Sequence, residues 1–228
     1  MEDTKEVEAR IAKPMTDADL EKYSGVHPED IIKYSDLKNY PTITDLLPEK
    51  KDFRIILIED TYNSGHWVGI FRNGQEIEYF NSYGAKWDYD WKFINRMIRT
   101  ILGENTNEMT RLMEQAEKDG FKTSYNKYRF QKLGSQIQTC GRWVIFRIEM
   151  FKMGYNNEEF KQVVDKMKAN LDEKSGGDVS NDFVVANYIR GINESTKSTV
   201  FLYTLPFFFF SIGRIGFPLI SLILLIIR

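Results

Sequence analysis

The sequence predicts an α+β fold, in which strand-like segments come first and helix-like segments follow. A continuous apolar run at 54–60 lies between charged residues, and two further strand-like runs follow at 66–72 and 76–82. Segments with helical apolar spacing then fill most of the chain after residue 89. The 228-residue length suits one compact domain with an appendage.

The three strand-like runs are predicted to be adjacent and antiparallel. The first, RIILIED (54–60), has the continuous hydrophobicity of a buried strand. Asn73 and Gly74 separate HWVGIFR (66–72) from EIEYFNS (76–82), and an Asn-Gly pair between two strands is typical of a tight hairpin. A short run YRF (128–130) is interpreted as a further strand.

Helices are predicted by apolar residues that recur every three or four positions. A short capped helix is expected within 15–25, where Thr16 or Asp17 precedes the first turn. The segment that starts at Cys140 is apolar on nearly every side, which predicts a helix buried through most of its circumference. The longer predicted helices are 89–102, 107–120, 140–154, 157–171 and 181–192.

Composition excludes several classes of function. The chain has 31 basic and 33 acidic residues, a formal net charge of -2, so no nucleic-acid partner is indicated. A single cysteine excludes an internal disulfide. With two histidines beside that cysteine, a zinc site built from soft ligands is not expected, and neither a metal nor a cofactor is predicted.

The carboxyl-terminal end differs sharply from the rest of the chain. We predict a folded domain over 1–192, a polar linker over 193–199 and an apolar segment over 200–228. That segment is long enough to cross a bilayer, which needs about 20 apolar residues, although Arg214 lies near its middle. A membrane anchor is the expectation; a hairpin dipping into one leaflet and a tail buried against a partner are the alternatives.

The single cysteine, Cys140, is the first candidate for a reactive side chain. A lone cysteine is commonly a small buried hydrophobe. Here it begins a buried helix, where the helix dipole favours a thiolate, and Gly141 beside it allows close backbone approach. His66 opens a predicted strand, and a histidine at a sheet edge can face a cleft. Asn81 falls at the end of the next strand, although the Asn-Ser-Tyr-Gly sequence there also makes an ordinary turn.

The motifs SGHWVGIF, EYFNSYG and TCGRW, in this order, resemble the adenain and ubiquitin-like-protease superfamily of cysteine proteases. The segments IIKYSDLKNYPTITDLLP and RIILIEDTYNSGHW resemble most the versions found in large DNA viruses, virophages and related mobile elements. The resemblance covers roughly residues 14–190. It implies a papain-like cysteine protease fold of the adenain/ubiquitin-like-protease type, a central mixed sheet flanked by helices, so that 1–192 is the protease domain.

The resemblance also implies roles for individual residues. Cys140 matches the nucleophile and His66 the general base, while Asn81 stands where the family has an acid. Trp67 and Gly141 match residues beside the substrate. The oxyanion glutamine is less directly matched: Gln131, which leaves the YRF run toward the cysteine, is the first candidate and Gln136 is the alternative.

The function implied is a cysteine endopeptidase with a Cys-His-Asn triad and no cofactor. Viral members trim capsid or scaffold precursors during virion maturation, often at Gly-Gly-like sites, so the expected location is the virion or the host cytoplasm, with membrane attachment through 200–228. The alternatives are a protease that removes ubiquitin or SUMO from host conjugates, an acyltransferase, and a catalytically degenerate, membrane-anchored interaction module. The asparagine in place of the acid and the displaced glutamine motivate the last of these.

Overall fold

A computed structural model describes residues 4–23 and 25–190, which form a mixed five-stranded sheet flanked by helices. The strands are β1 (Ile31–Lys33), β2 (Lys51–Thr61), β3 (Ser64–Asn73), β4 (Glu76–Phe80) and β5 (Lys122–Tyr125), in the order β1-β2-β3-β4-β5. The three central strands are antiparallel, and each outer strand is parallel to its neighbour. The predicted α+β class and mixed central sheet are confirmed.

Eight α-helices are described in the same residues. They are α1 (Thr4–Ala12), α2 (Asp17–Leu20), α3 (Ile43–Leu46), α4 (Arg96–Leu102), α5 (Glu108–Lys118), α6 (Cys140–Lys152), α7 (Asn157–Ser175) and α8 (Asn181–Tyr188). Short 3-10 turns occupy Pro28–Asp30, Tyr34–Asn39 and Asp90–Phe93.

The predicted hairpin forms between β3 and β4. Asn73 pairs with Glu76, and Gly74 takes a positive φ of 62°, the conformation that a two-residue hairpin turn requires. On the other side, β2 pairs with β3 along nearly its whole length, from Lys51 opposite Asn73 to Ile58 opposite His66. The sheet therefore carries His66 on a long, doubly anchored strand.

Successive side chains of the central strands point to opposite faces of the sheet, as in any β-strand, and each face packs against a separate layer of the fold. One face packs against α3, α5 and the 3-10 turn at Tyr34–Asn39. Its buried apolar residues are Ile56, Ile58, Val68, Ile70, Ile77 and Tyr79 from the strands and Met109, Leu112, Met113 and Ala116 from α5. This layer supports the sheet from the face opposite α6.

Helix α6 packs on the other face, against β3, and buries 11 of its 13 residues. The prediction of a helix buried nearly all round is confirmed. An aromatic cluster surrounds it, in which Phe160 of α7 lies 5.1 Å from the rings of Phe130 and Phe146. A charged residue, Arg147, is also 1 % exposed, and its guanidinium donates two hydrogen bonds of 2.8 Å to Glu78 of β4. This bidentate pair fixes α6 to the strand that leads into Asn81.

Two sequence predictions of local structure are wrong, and one helix was missed. The segment 89–102 is not one helix: a 3-10 turn ends at Phe93, and α4 restarts after Asn95, whose side chain accepts from the Met97 N–H and caps the new helix. The run 128–130 is not a strand, and the edge strand lies earlier, at β5. Helix α1 was not predicted at all.

Among the described residues, none of the helices combines the length and apolar character needed to cross a membrane. The predicted linker at 193–199 and the predicted anchor at 200–228 lie outside the described residues. Their roles stay predictions.

The buried pair between Arg147 and Glu78 gives the first testable prediction. Replacing Arg147 with Met leaves the Glu78 carboxylate without its partner in a site where its side chain is 14 % exposed, so we expect a loss of about 3–5 kcal/mol in the free energy of unfolding. Urea denaturation measures it. The double change Arg147→Met with Glu78→Leu is expected to recover most of the loss.

The control is Lys122→Ala, which breaks the exposed Lys122–Glu76 pair (77 % and 58 % exposed) and is expected to cost less than about 1 kcal/mol. Equal losses in the two single variants would contradict a structural role for the buried pair.

Candidate active site

The candidate site lies where β4 ends and α6 begins. In the register of the sheet, Phe80 at the end of β4 pairs with Gly69, so β3 continues past β4 at this edge. His66 and Trp67 lie on that overhanging part of β3, Asn81 follows directly after β4, and Cys140 is the first residue of α6. The fold thus brings together the three predicted triad residues.

His66 is held by Asn81. One ring nitrogen of the half-buried imidazole, Nε2, lies 3.0 Å from Oδ1 of the fully buried Asn81. The backbone N–H of Tyr83 also donates to that Oδ1, at 2.9 Å. Because a backbone N–H can only donate, this contact identifies the atom as the amide oxygen, and Nε2 must then carry the proton. The other nitrogen, Nδ1, is then unprotonated and can accept the proton of Cys140.

The Cys140 thiol is 4 % exposed and shares a hydrogen bond with His66. Burial by itself raises the pKa of this thiol. The hydrogen bond and charge of His66, together with the backbone N–H groups of Trp67 and Gly141, outweigh the effect of burial and hold the pKa of Cys140 below its usual range. The first turn of α6 adds its positive dipole end at the same sulfur. Such an environment favours a thiolate nucleophile.

Tyr83 orients the imidazole from its face. Its ring stacks on that of His66, with centroids 4.4 Å apart and planes 14° from parallel. The Tyr83 hydroxyl lies 3.4 Å from Nε2 of Gln131, which is 1 % exposed. Tyr83 was not singled out from the sequence, although it lies within the EYFNSYG motif.

Gln131, the first candidate for the oxyanion glutamine, lies beside the site on the Tyr83 side. Its Nε2 donates to the Ile137 carbonyl at 3.0 Å, and its Oε1 accepts from the Ser82 hydroxyl at 2.7 Å. The amide nitrogen carries two N–H donors, and it also lies 3.4 Å from the Tyr83 hydroxyl, so an oxyanion would have to replace one of these two contacts. The alternative, Gln136, is exposed on the loop that leads to Cys140. Both assignments stay predictions.

Asn126, just after β5, holds the backbone of Asn81 in the way that a neighbouring strand would. Its Oδ1 accepts from the Asn81 N–H and its Nδ2 donates to the Asn81 carbonyl, both at 2.8 Å, and Nδ2 also reaches the Tyr128 carbonyl at 3.1 Å. Asn126 is itself buried. Sequence reasoning missed it, because nothing local to Asn126 indicates a partner so distant in the chain.

The end of α1 and the residues that follow it cross the start of α6. The Ile11 carbonyl accepts from the Gln138 N–H at 2.8 Å, and the Lys13 carbonyl accepts from the buried Arg142 at 3.1 Å. Two residues further on, the Met15 carbonyl accepts from the indole of Trp67 at 2.8 Å. Alternate carbonyls of 11–15 thus bond to residues within two positions of Cys140 and next to His66.

Trp67 and Gly141, the predicted substrate-contacting residues, pack against this crossing segment. Trp67 is buried, and a Cβ at Gly141 would lie 2.9 Å from the Met15 Cβ and 3.2 Å from the Trp67 ring. Such distances are too short for any residue larger than glycine without displacing Met15 or the indole. Their role in binding substrate stays a prediction.

Thr139, the residue before Cys140, is anchored to α8. Its hydroxyl donates to Oδ1 of Asp182 at 2.6 Å, and the other carboxylate oxygen accepts from the Lys132 N–H at 3.0 Å. Thr139 and Asp182 are both buried. Across residues 4–23 and 25–190, no group of three or more His, Cys, Asp or Glu side chains is arranged to hold a metal ion.

The geometry predicts that Asn126 positions the triad. Asn126→Ala removes the acceptor of the buried Asn81 N–H, which costs about 1–3 kcal/mol. The Asn81 carbonyl loses one of its two donors and keeps the Gly84 N–H at 2.8 Å. We expect a matching loss in the free energy of unfolding by urea. We also expect slower alkylation of Cys140 near neutral pH, with its pH midpoint moved upward, because a displaced Asn81 no longer orients His66.

The matched control is Asn105→Ala, at an exposed loop position, which is expected to change stability by less than about 0.5 kcal/mol and leave the alkylation profile unchanged. An Asn126→Ala protein with wild-type stability and a wild-type pH profile would rule out the positioning role.

Comparison with known proteins gives one relative and one solved structure. No protein-family profile matches the chain. The crystal structure of the ASFV pS273R protease is similar at a TM-score of 0.32 and 18 % identity, over 60 % of this chain and 41 % of that one, so this chain spans less than half of that protease. The uncharacterized protein V9 of Sputnik virophage is 35 % identical over 139 residues, which cover 60 % of this chain and 76 % of V9. The chain therefore belongs to the same protein family as V9 of the Sputnik virophage.

Proposed function

We propose that the chain is a cysteine endopeptidase of the adenain/ubiquitin-like-protease type, with Cys140 as nucleophile, His66 as general base and Asn81 as the residue that orients the imidazole. The observation that carries the proposal is the position of His66, whose imidazole bonds to Asn81 on one side and to Cys140 on the other. A thiol, an imidazole and an orienting amide, hydrogen-bonded in this order, form the arrangement that thiol proteases use.

The proposed reaction begins with transfer of the thiol proton from Cys140 to Nδ1 of His66. The thiolate attacks the carbonyl carbon of the scissile peptide and forms a tetrahedral oxyanion. When the C–N bond breaks, the imidazolium of His66 protonates the leaving amine, and the acyl group remains on Cys140 as a thioester. Water then gives a proton to His66 and attacks the thioester, which releases a carboxylic acid and restores the thiol.

Backbone and side-chain N–H groups are proposed to hold the oxyanion. The N–H of Cys140 belongs to the first turn of α6, where helix N–H groups lack intrahelical partners. Gln131 is proposed as the second donor, and in this role one of its two amide N–H groups exchanges its contact with the Ile137 carbonyl or the Tyr83 hydroxyl for the oxyanion. Asn81 carries no charge, unlike an acid, so it stabilises the imidazolium less. The N–H groups around the sulfur are then proposed to contribute more to the stability of the thiolate–imidazolium pair.

The proposed substrates are viral capsid or scaffold precursors, cleaved after small residues of the Gly-Gly type. The family resemblance supports this substrate class, and the virophage relative supports a viral setting. The virion or the host cytoplasm is the proposed location. The 200–228 segment is proposed as a membrane anchor on the basis of its composition.

A peptide library randomised around a Gly-Gly core tests the activity, with mass spectrometry of the new termini as readout. We expect cleavage after small residues, lowered by about 100-fold or more in Cys140→Ala and in His66→Ala. The control is His27→Ala, which removes the other histidine of the chain, at an exposed position, and is expected to keep the wild-type rate.

Ubiquitin and SUMO vinyl sulfones form the second arm of the test. An adduct on Cys140 with either probe, without cleavage of the library, would assign the enzyme to ubiquitin-like conjugates. If neither arm gives a Cys140-dependent product, and Cys140 is alkylated no faster than a free cysteine, the peptidase proposal fails.

A further inference from the structure

Helix α4 presents an apolar surface to solvent. Phe93, Met97 and Ile101, here called the apolar stripe, are 75 %, 73 % and 77 % exposed. They recur at every fourth position, so Met97 and Ile101 lie on one face of α4 and Phe93 precedes them at the end of the 3-10 turn. Exposed apolar side chains that gather in one place mark interaction sites more often than scattered ones do.

Polar contacts on the opposite side of α4 hold the helix against the sheet. The apolar stripe is therefore held facing the solvent. The Arg99 guanidinium lies 3.8 Å from the centre of the Trp91 ring, and its Nε donates to the Glu104 carbonyl at 3.1 Å. The Glu104 carboxylate in turn accepts from the Glu59 N–H of β2 at 3.0 Å. These bonds hold the helix by its carboxyl-terminal half, beside the end of β2 that pairs with His66.

Basic residues accompany the stripe. Lys92 and Arg96 are both exposed, and α4 itself, RMIRTIL, contains two arginines and no acidic residue. Tyr89, 45 % exposed, packs on Phe93 with ring centroids 6.1 Å apart. An exposed surface that combines aromatic and aliphatic side chains with flanking cations has the character of helices that lie in the headgroup region of a bilayer.

We propose that the apolar stripe of α4 is a membrane-contact surface that inserts into the headgroup region of an anionic bilayer, with Lys92 and Arg96 facing the lipid phosphates and carboxylates. This goes beyond the proposed peptidase activity and does not depend on it. A bilayer matches both the apolar residues and the flanking cations. It is also the environment that the composition of the 200–228 segment favours.

The test uses the full chain with Cys140→Ala and a single new cysteine, Met97→Cys, that carries an NBD fluorophore. Vesicles of phosphatidylcholine are compared with vesicles that contain about 30 % phosphatidylserine. We expect the NBD emission to shift to the blue and to intensify on the anionic vesicles. The matched control carries NBD at Met153→Cys, an exposed apolar position (54 %) after the end of α6, and its emission is expected to stay unchanged.

Charge reversal separates the lipid headgroup from general apolar contact. Arg96→Glu is expected to weaken the NBD response on anionic vesicles by about fivefold or more, because each basic residue near an anionic surface contributes about that factor. Lys174→Glu, at an exposed position near the end of α7, should not change it.

Three outcomes would overturn the proposal. In the first, flotation shows the chain on the vesicles while the Met97 probe keeps its aqueous spectrum. In the second, the probe is already blue-shifted without vesicles and does not change, which would mean that protein covers the stripe. In the third, the full chain does not associate with either vesicle.

Discussion

The arrangement of the candidate site depends on one atom, the carboxamide oxygen of Asn81. It accepts the Tyr83 N–H at 2.9 Å and the His66 ring nitrogen at 3.0 Å, and these two bonds together decide which nitrogen of the imidazole carries a proton. Asn126 holds the backbone of Asn81 through two further bonds, and this support keeps the side chain in place for both donors. A neutral amide so fixed selects the tautomer that a general base for Cys140 needs, even though it lacks the charge of a carboxylate.

Burial and electrostatics have opposite effects on the ionisation of the Cys140 thiol, and the fold produces both effects. The crossing segment and Trp67 pack closely around Gly141, and Cys140 is 4 % exposed, which by itself favours the neutral thiol. The N–H groups and the imidazole around the sulfur favour the anion. Their positions are set by anchors on three sides of α6: Glu78 through Arg147, Asp182 through Thr139, and the carbonyl of Lys13 through Arg142. The resulting site is preorganised, because its donors are already directed at the sulfur before substrate arrives.

The sequence predicted the elements whose patterns are local and long. The β3–β4 hairpin was identified because Asn73-Gly74 supplies a specific turn, and α6 because its apolar residues leave almost no polar face. The edge strands β1 and β5 are three and four residues long, too short for a strand period to be recognised. Asn126 and Asp182 act through partners distant in the chain, which no local pattern encodes. Arg147 was identifiable in principle: a charged residue inside a helix apolar on every side requires a buried partner.

The most direct test of the account is the pKa of Cys140, measured by thiolate absorbance near 240 nm as a function of pH. The chain has a single cysteine and 12 tyrosines, whose phenolates absorb in the same region, so the Cys140 signal is taken as the difference from the matched Cys140→Ala protein. We expect a midpoint below the ordinary thiol value of about 8.5 in the wild type. In His66→Ala we expect it to rise above that value, since burial then dominates. A wild-type midpoint at or above the ordinary value, unchanged by His66→Ala, would contradict the assignment of Cys140 and His66 as nucleophile and base.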